Sequence, residues 1–130
     1  MYENETDGVR ISVEPEFLED ESIPEDHRYV WAYTIEIENK SAETLQLLNR
    51  YWEIIDSQGR KEVVHGAGVV GEQPVLRPGE RFSYTSGAPL TTPSGFMTGH
   101  YEMQTEKGRR FDAVIPAFSL DRPDDHYSLQ

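Results

Sequence analysis

Large apolar residues occupy every second position of Tyr29, Trp31, Tyr33, Ile35 and Ile37, while Thr34, Glu36 and Glu38 fill positions between them. A period of two places one set on each face of a pleated strand, and these aromatic and β-branched types suit such a surface. Val9, Ile11 and Val13 alternate in the same way with Arg10, Ser12 and Glu14 and predict an earlier strand. A third runs from about Thr44 to Asp56, carrying Leu45, Leu47, Tyr51, Trp52, Ile54 and Ile55. Asp56-Ser57-Gln58-Gly59 is a hairpin signal, so Lys61 to His65 is the returning strand. Arg77-Pro78-Gly79-Glu80 has proline and glycine where a type II turn wants them. Arg81–Ser86, Gly99–Glu106 and Phe111–Ile115 complete the set, the last two joined at Glu106-Lys107-Gly108-Arg109. Gly66–Gly71 and Gly87–Gly95 are expected as loops.

The expected fold is therefore all-β: an immunoglobulin- or fibronectin type III-like sandwich of two antiparallel sheets and about seven strands. A closed barrel is the alternative. No amphipathic stretch of crossover length supports a parallel α/β sheet. Residues 1–130 make one expected domain, with the sandwich over about 8–120 and polar, mobile tails at 1–7 and 121–130. Trp31 and Trp52, on central strands, are expected in the core.

Composition narrows the function classes. The chain has no cysteine, which excludes disulfides, thiolate metal sites and cysteine nucleophiles, and fits a reducing, cytoplasmic setting. The first residues lack the basic start and apolar run of a secretory signal, and no apolar run nears the ~20 residues of a membrane helix. The net charge is −12. Residues 1–26 hold ten carboxylates against Arg10, a net −9, whereas residues 27–130 hold fourteen against eleven bases, a net −3. An acidic chain repels phosphate backbones, which argues against nucleic acid as a partner.

Several motifs carry a resemblance. His65-Gly-Ala-Gly-Val-Val-Gly-Glu-Gln-Pro74, Leu76-Arg-Pro-Gly-Glu80, Phe82-Ser-Tyr-Thr-Ser-Gly87, Leu90-Thr-Thr-Pro-Ser-Gly95, Met97-Thr-Gly-His-Tyr101 and Ile115-Pro-Ala-Phe118 follow one another in an order that resembles the ApaG family over about Val9 to Leu120. The resemblance implies a fibronectin type III-like sandwich that stands alone in bacteria. It also implies kinship with C-terminal modules of some eukaryotic F-box proteins and of a polymerase-δ-interacting protein, and an association with cobalt and magnesium efflux. It brings no catalytic residues.

The sharpest local pattern is Gly66-x-Gly68-x-x-Gly71, followed by Glu72. In dinucleotide-binding folds this spacing opens a helix under a pyrophosphate. Pro74 and Pro78 deny that helix here, so the pattern reads as a turning loop. A weaker ligand site remains, made of Gly66, Gly68, Gly71 and Glu72, if loop amides form an anion nest. His27, His65, His100 and His126 show no ligand spacing, and the Asp121, Asp124, Asp125, His126 group lies in the polar tail, so no metal site or cofactor is expected. Nothing marks a nucleophile, acid and base together, and the chain is expected not to be an enzyme. The leading expectation is a module that binds an unidentified protein through loops Gly66–Leu76 and Gly87–Gly95. A sensor of a phosphorylated metabolite or a cation at the glycine loop is the alternative. Any part in efflux is then indirect, and an edge strand leaves a homodimer open.

Overall fold

The computed structural model describes residues 1–123. Its strands are β1 (Tyr2–Thr6), β2 (Val9–Phe17), β3 (Tyr29–Asn39), β4 (Leu45–Asp56), β5 (Lys61–Ala67), β6 (Val75–Leu76), β7 (Arg81–Leu90), β8 (Gly95–Thr105) and β9 (Arg110–Leu120). Two short 3-10 turns, Glu19–Glu21 and Pro24–Asp26, join β2 to β3. All pairings are antiparallel. One sheet runs β1-β2-β3-β7 and the other β5-β4-β8-β9, with β6 also on β4.

The alternation in β3 builds one wall of the core. Trp31, Tyr33, Ile35 and Ile37 all point into the space between the sheets and are buried. Trp52, Met97, Tyr101, Met103, Ile115 and Phe118 meet them from the other sheet. Phe118 is the hub: Tyr33 and Trp52 lie 5.9 and 6.0 Å from it, Trp52 edge-on at 88°, an arrangement that suits the ring quadrupoles. Both tryptophans are core residues. The Trp31 indole N–H donates to the Asp121 carbonyl at 2.8 Å, so its polar atom is satisfied.

Among the described residues the strand count is nine, and three expectations change. Residues 1–7 are not a mobile tail: Tyr2–Thr6 pair along β2 in register Tyr2↔Val13 to Thr6↔Val9. Tyr2 anchors them, its ring 6.0 Å from Phe118 and its hydroxyl 2.9 Å from that of Ser119. Gly87–Gly95 is not a loop throughout, because β7 continues through Pro89 to Leu90. β7 is an edge strand, and an edge has room for a residue without an N–H. Likewise, Gly66 and Ala67 belong to β5 rather than to the loop after it. The group at Asp124, Asp125 and His126 lies outside the described residues.

Candidate functional site

Strand β4 changes phase along its length. Leu45 and Leu47 face inward, and then the register against β8 slips between Leu47 and Asn49. This bulge adds a residue to β4, so Arg50, Trp52 and Ile54 take the inward positions instead of Asn49 and Tyr51. Arg50 thus stands on the core face of the sheet, between Tyr101 of β8 and Gly66 of β5. Gly66 gives it room: a Cβ there would lie 3.2–3.3 Å from the guanidinium.

The guanidinium holds the glycine loop. Arg50 Nη1 donates to the carbonyls of Ala67 and Gly68 at 3.0 and 2.9 Å. The loop itself is a miniature hairpin. Val69 and Glu72 exchange both backbone hydrogen bonds, at 2.8 and 2.9 Å. Between them, Val70 (φ 43°) and Gly71 (φ 81°) are both left-handed, the sign pattern of a type I′ turn. Gly68 is also left-handed (φ 65°), and a Cβ on it would fall 2.1 Å from the Glu72 carbonyl oxygen. Val69 plugs inward and is buried, whereas Val70 is 57% exposed.

Above Arg50 the two sheets part. Opposite β5, strand β7 presents small inward residues, Ser86 and Ala88, and a cavity of about 410 Å³ opens between them. Its walls include Val69, Val70 and Gly71 from the turn, Gly87 and Pro89 from β7, and Tyr33, Tyr84, Arg50 and Glu62. The hydroxyls of Tyr84 and Tyr101 are hydrogen-bonded at 2.5 Å. Burial pushes both hydroxyls, and that of Tyr33, above the ordinary tyrosine range; Arg50 offsets this only in part, so all three stay protonated donors.

Of the residues singled out in sequence, Gly71 lines this cavity, Gly66 makes room for Arg50, and Gly68 shapes the turn. Glu72 contributes its backbone. The amides of Gly68, Val69 and Glu72 are spent on the Leu48, Glu72 and Val69 carbonyls. No helix follows; the chain runs on to β6. Segments Gly66–Leu76 and Gly87–Gly95 do come together, at the cavity mouth. Arg50 was not foreseen. Its signal was the shift from odd apolar positions (Leu45, Leu47) to even ones (Trp52, Ile54).

A second, shallower concavity lies outside the β5-β4-β8-β9 sheet. There Tyr51 stacks on His100 (5.0 Å, 11°), and His100 Nε2 is 3.9 Å from Asp112. Among the described residues no three of His, Asp and Glu are grouped to hold a metal ion, and no helix is long and apolar enough to cross a membrane.

Strand order and sheet pairing together define a fibronectin type III-like β-sandwich, here extended by β1 and β6. The model of the ApaG domain matches residues 19–105, and the chain belongs to that family. It is 64% identical to Protein ApaG of Maricaulis maris over 129 residues, 99% of each chain. It is 58% identical to Protein ApaG of Rhodospirillum centenum over 123 residues, 95% of each. A crystal structure of the Bordetella pertussis protein designated ApaA superposes with a TM-score of 0.86 at 42% identity, covering 94% of this chain and 96% of that one.

Proposed function

We propose that this domain is a non-catalytic recognition module that docks another protein at the mouth of the cavity between the Val69–Glu72 turn and β7. The observation that carries this reading is Val70. A β-branched residue at positive φ costs of order 1–3 kcal/mol, and such strain persists where function requires it. Val70 also displays an apolar side chain to solvent at the rim, where asparagine would form the turn with less strain and no apolar display. The flanking strands β5 and β7 are both sheet edges, so a partner can add a strand while inserting a side chain. The cavity's titratable groups are protonated tyrosines, Arg50 and Glu62, which supply no nucleophile with an adjacent base. A cytoplasmic site of action and an indirect, partner-mediated link to divalent cations complete the reading.

The test is affinity capture with the full chain, Val70→Asn and Val114→Asn. Val114 is an exposed apolar residue of β9, on the outer face of the β5-β4-β8-β9 sheet and away from the cavity. The reading expects a reproducible partner that Val114→Asn retains and Val70→Asn loses. Equal capture by Val70→Asn, or no reproducible partner, defeats it. A second reading, a small-ligand site in the same cavity, is favoured by one observation: the half-buried Arg50 meets no carboxylate among the described residues.

A further inference from the structure

We propose that the floor of this cavity is a carboxylate subsite, with Arg50 as its cation and the buried tyrosine hydroxyls as neutral donors beside it. The proposal rests on the reading that the cavity is the recognition site, and it names the chemistry that enters.

Three observations carry it. Arg50 is turned toward the core by the β4 bulge and given space by Gly66, so its position is built rather than incidental. Its only hydrogen bonds among the described residues leave from Nη1, to two neutral carbonyls; Nη2 and Nε have no acceptor, and no Asp or Glu lies within ion-pair distance. These free nitrogens are not buried but reach the cavity, so an arriving anion can pair with them without displacing a protein partner. Finally, Tyr33 and Tyr84 line the same cavity, and the Tyr84 hydroxyl is hydrogen-bonded to that of Tyr101 behind it in the core.

The same residues select the kind of anion. The cavity offers one guanidinium, which can pair one-to-one with a monoanion, while the second charge of a dianion finds no cation and faces Glu62 on the same wall. Three of the loop amides that a phosphate would need, those of Gly68, Val69 and Glu72, are occupied by backbone carbonyls, which leaves too few for a nest. A planar monoanion matches a guanidinium fork, whose donors are coplanar and parallel. A cavity of about 410 Å³ accommodates an acidic side chain or a small carboxylic acid.

The full chain is titrated with acetate, succinate, a short capped peptide with one internal glutamate, inorganic phosphate and pyrophosphate, at constant ionic strength. The Arg50 Nε–H and tyrosine side-chain NMR signals are followed. Saturable shifts with the carboxylates in the millimolar range are expected, with phosphate and pyrophosphate at least about tenfold weaker. Arg50→Lys should weaken the carboxylate response at least about tenfold, Arg50→Met should abolish it, and Glu62→Gln should tighten it. A peptide that saturates below succinate supports an acidic side chain of a protein as the source; the reverse order supports a free acid. No saturable shift, an undiminished shift in Arg50→Met, or tighter binding of phosphate overturns the proposal. If Val70→Asn loses the captured partner while Arg50 stays silent, docking stands and the carboxylate assignment falls. If Arg50 responds and no partner is captured, the assignment stands as a small-acid site.

Discussion

Arg10 and Arg50 are both half-buried strand arginines, one on the outside of a sheet and the other facing the interior. Arg10 lies on the outer face of the β1-β2-β3-β7 sheet, where Glu3, Glu36 and Glu38 approach it at 3.6, 3.6 and 2.9 Å. Arg81 joins the same carboxylates from β7, at 3.9 Å from Glu36 and 3.4 Å from Glu38. Arg50 lies on the inner face of the other sheet and, among the described residues, has two carbonyls and no carboxylate. The contrast separates two uses of charge. On the outside, opposite charges on neighbouring strands pair with one another, although the buried Arg10 Nε is left without a hydrogen-bond partner. On the inside, a cation beside a cavity with no carboxylate partner among the described residues is open to an anion that enters.

That contrast can be broken in several ways. The largest expected effect is alkaline. Tyr33, Tyr84 and Tyr101 titrate higher in the folded chain than in the unfolded one, chiefly because burial disfavours the phenolate. The unfolded chain therefore releases these protons first, near pH 10. Stability is fully present below that pH and falls above it, by up to about 1.4 kcal/mol per pH unit for each tyrosine. Urea unfolding across this range should show the slope, and Tyr84→Phe should flatten it. Next comes Gly68→Ala, whose Cβ has no escape from the Glu72 carbonyl; a loss of about 2–4 kcal/mol should follow in thermal or urea unfolding. Val70→Asn should raise stability by about 1 kcal/mol, because it relieves a β-branched residue in a left-handed turn. Smallest is Arg10→Met. Its partners are partly solvated, so a loss of at most about 1 kcal/mol is expected, shrinking further in high salt.

The strands with undisturbed alternation were legible in sequence: β3 and the first half of β2 needed only their period-two pattern, since one face is buried along all of β3 and from Val9 to Val13 in β2. The turn at Arg77–Glu80 was equally legible, because Pro78 and Gly79 each suit one conformation there, and Gly79 sits at φ 87°. β1 was not, because Tyr2 is its one large apolar residue and its pairing depends on a distant contact with β9. Pro89 misled for a related reason: it reads as a breaker unless the strand is known to be an edge. The glycines were visible, but their roles follow from what they face. Gly66 faces Arg50, and Gly68 faces the Glu72 carbonyl, so the motif shapes a turn instead of cradling a phosphate. Arg50 was hidden by the bulge, which inverts the inside–outside pattern halfway along β4.

The unfolding free energy of Arg50→Met against the natural chain, in urea and in buffer free of carboxylates, tests the central claim most directly. One of the two carbonyls that Arg50 holds is solvent-exposed and the other only part-buried, so water can replace the lost hydrogen bonds. If the inward charge is held for a ligand, the methionine variant is at least as stable as the natural chain. A loss greater than about 2 kcal/mol would make Arg50 a pin for the glycine loop and contradict the account.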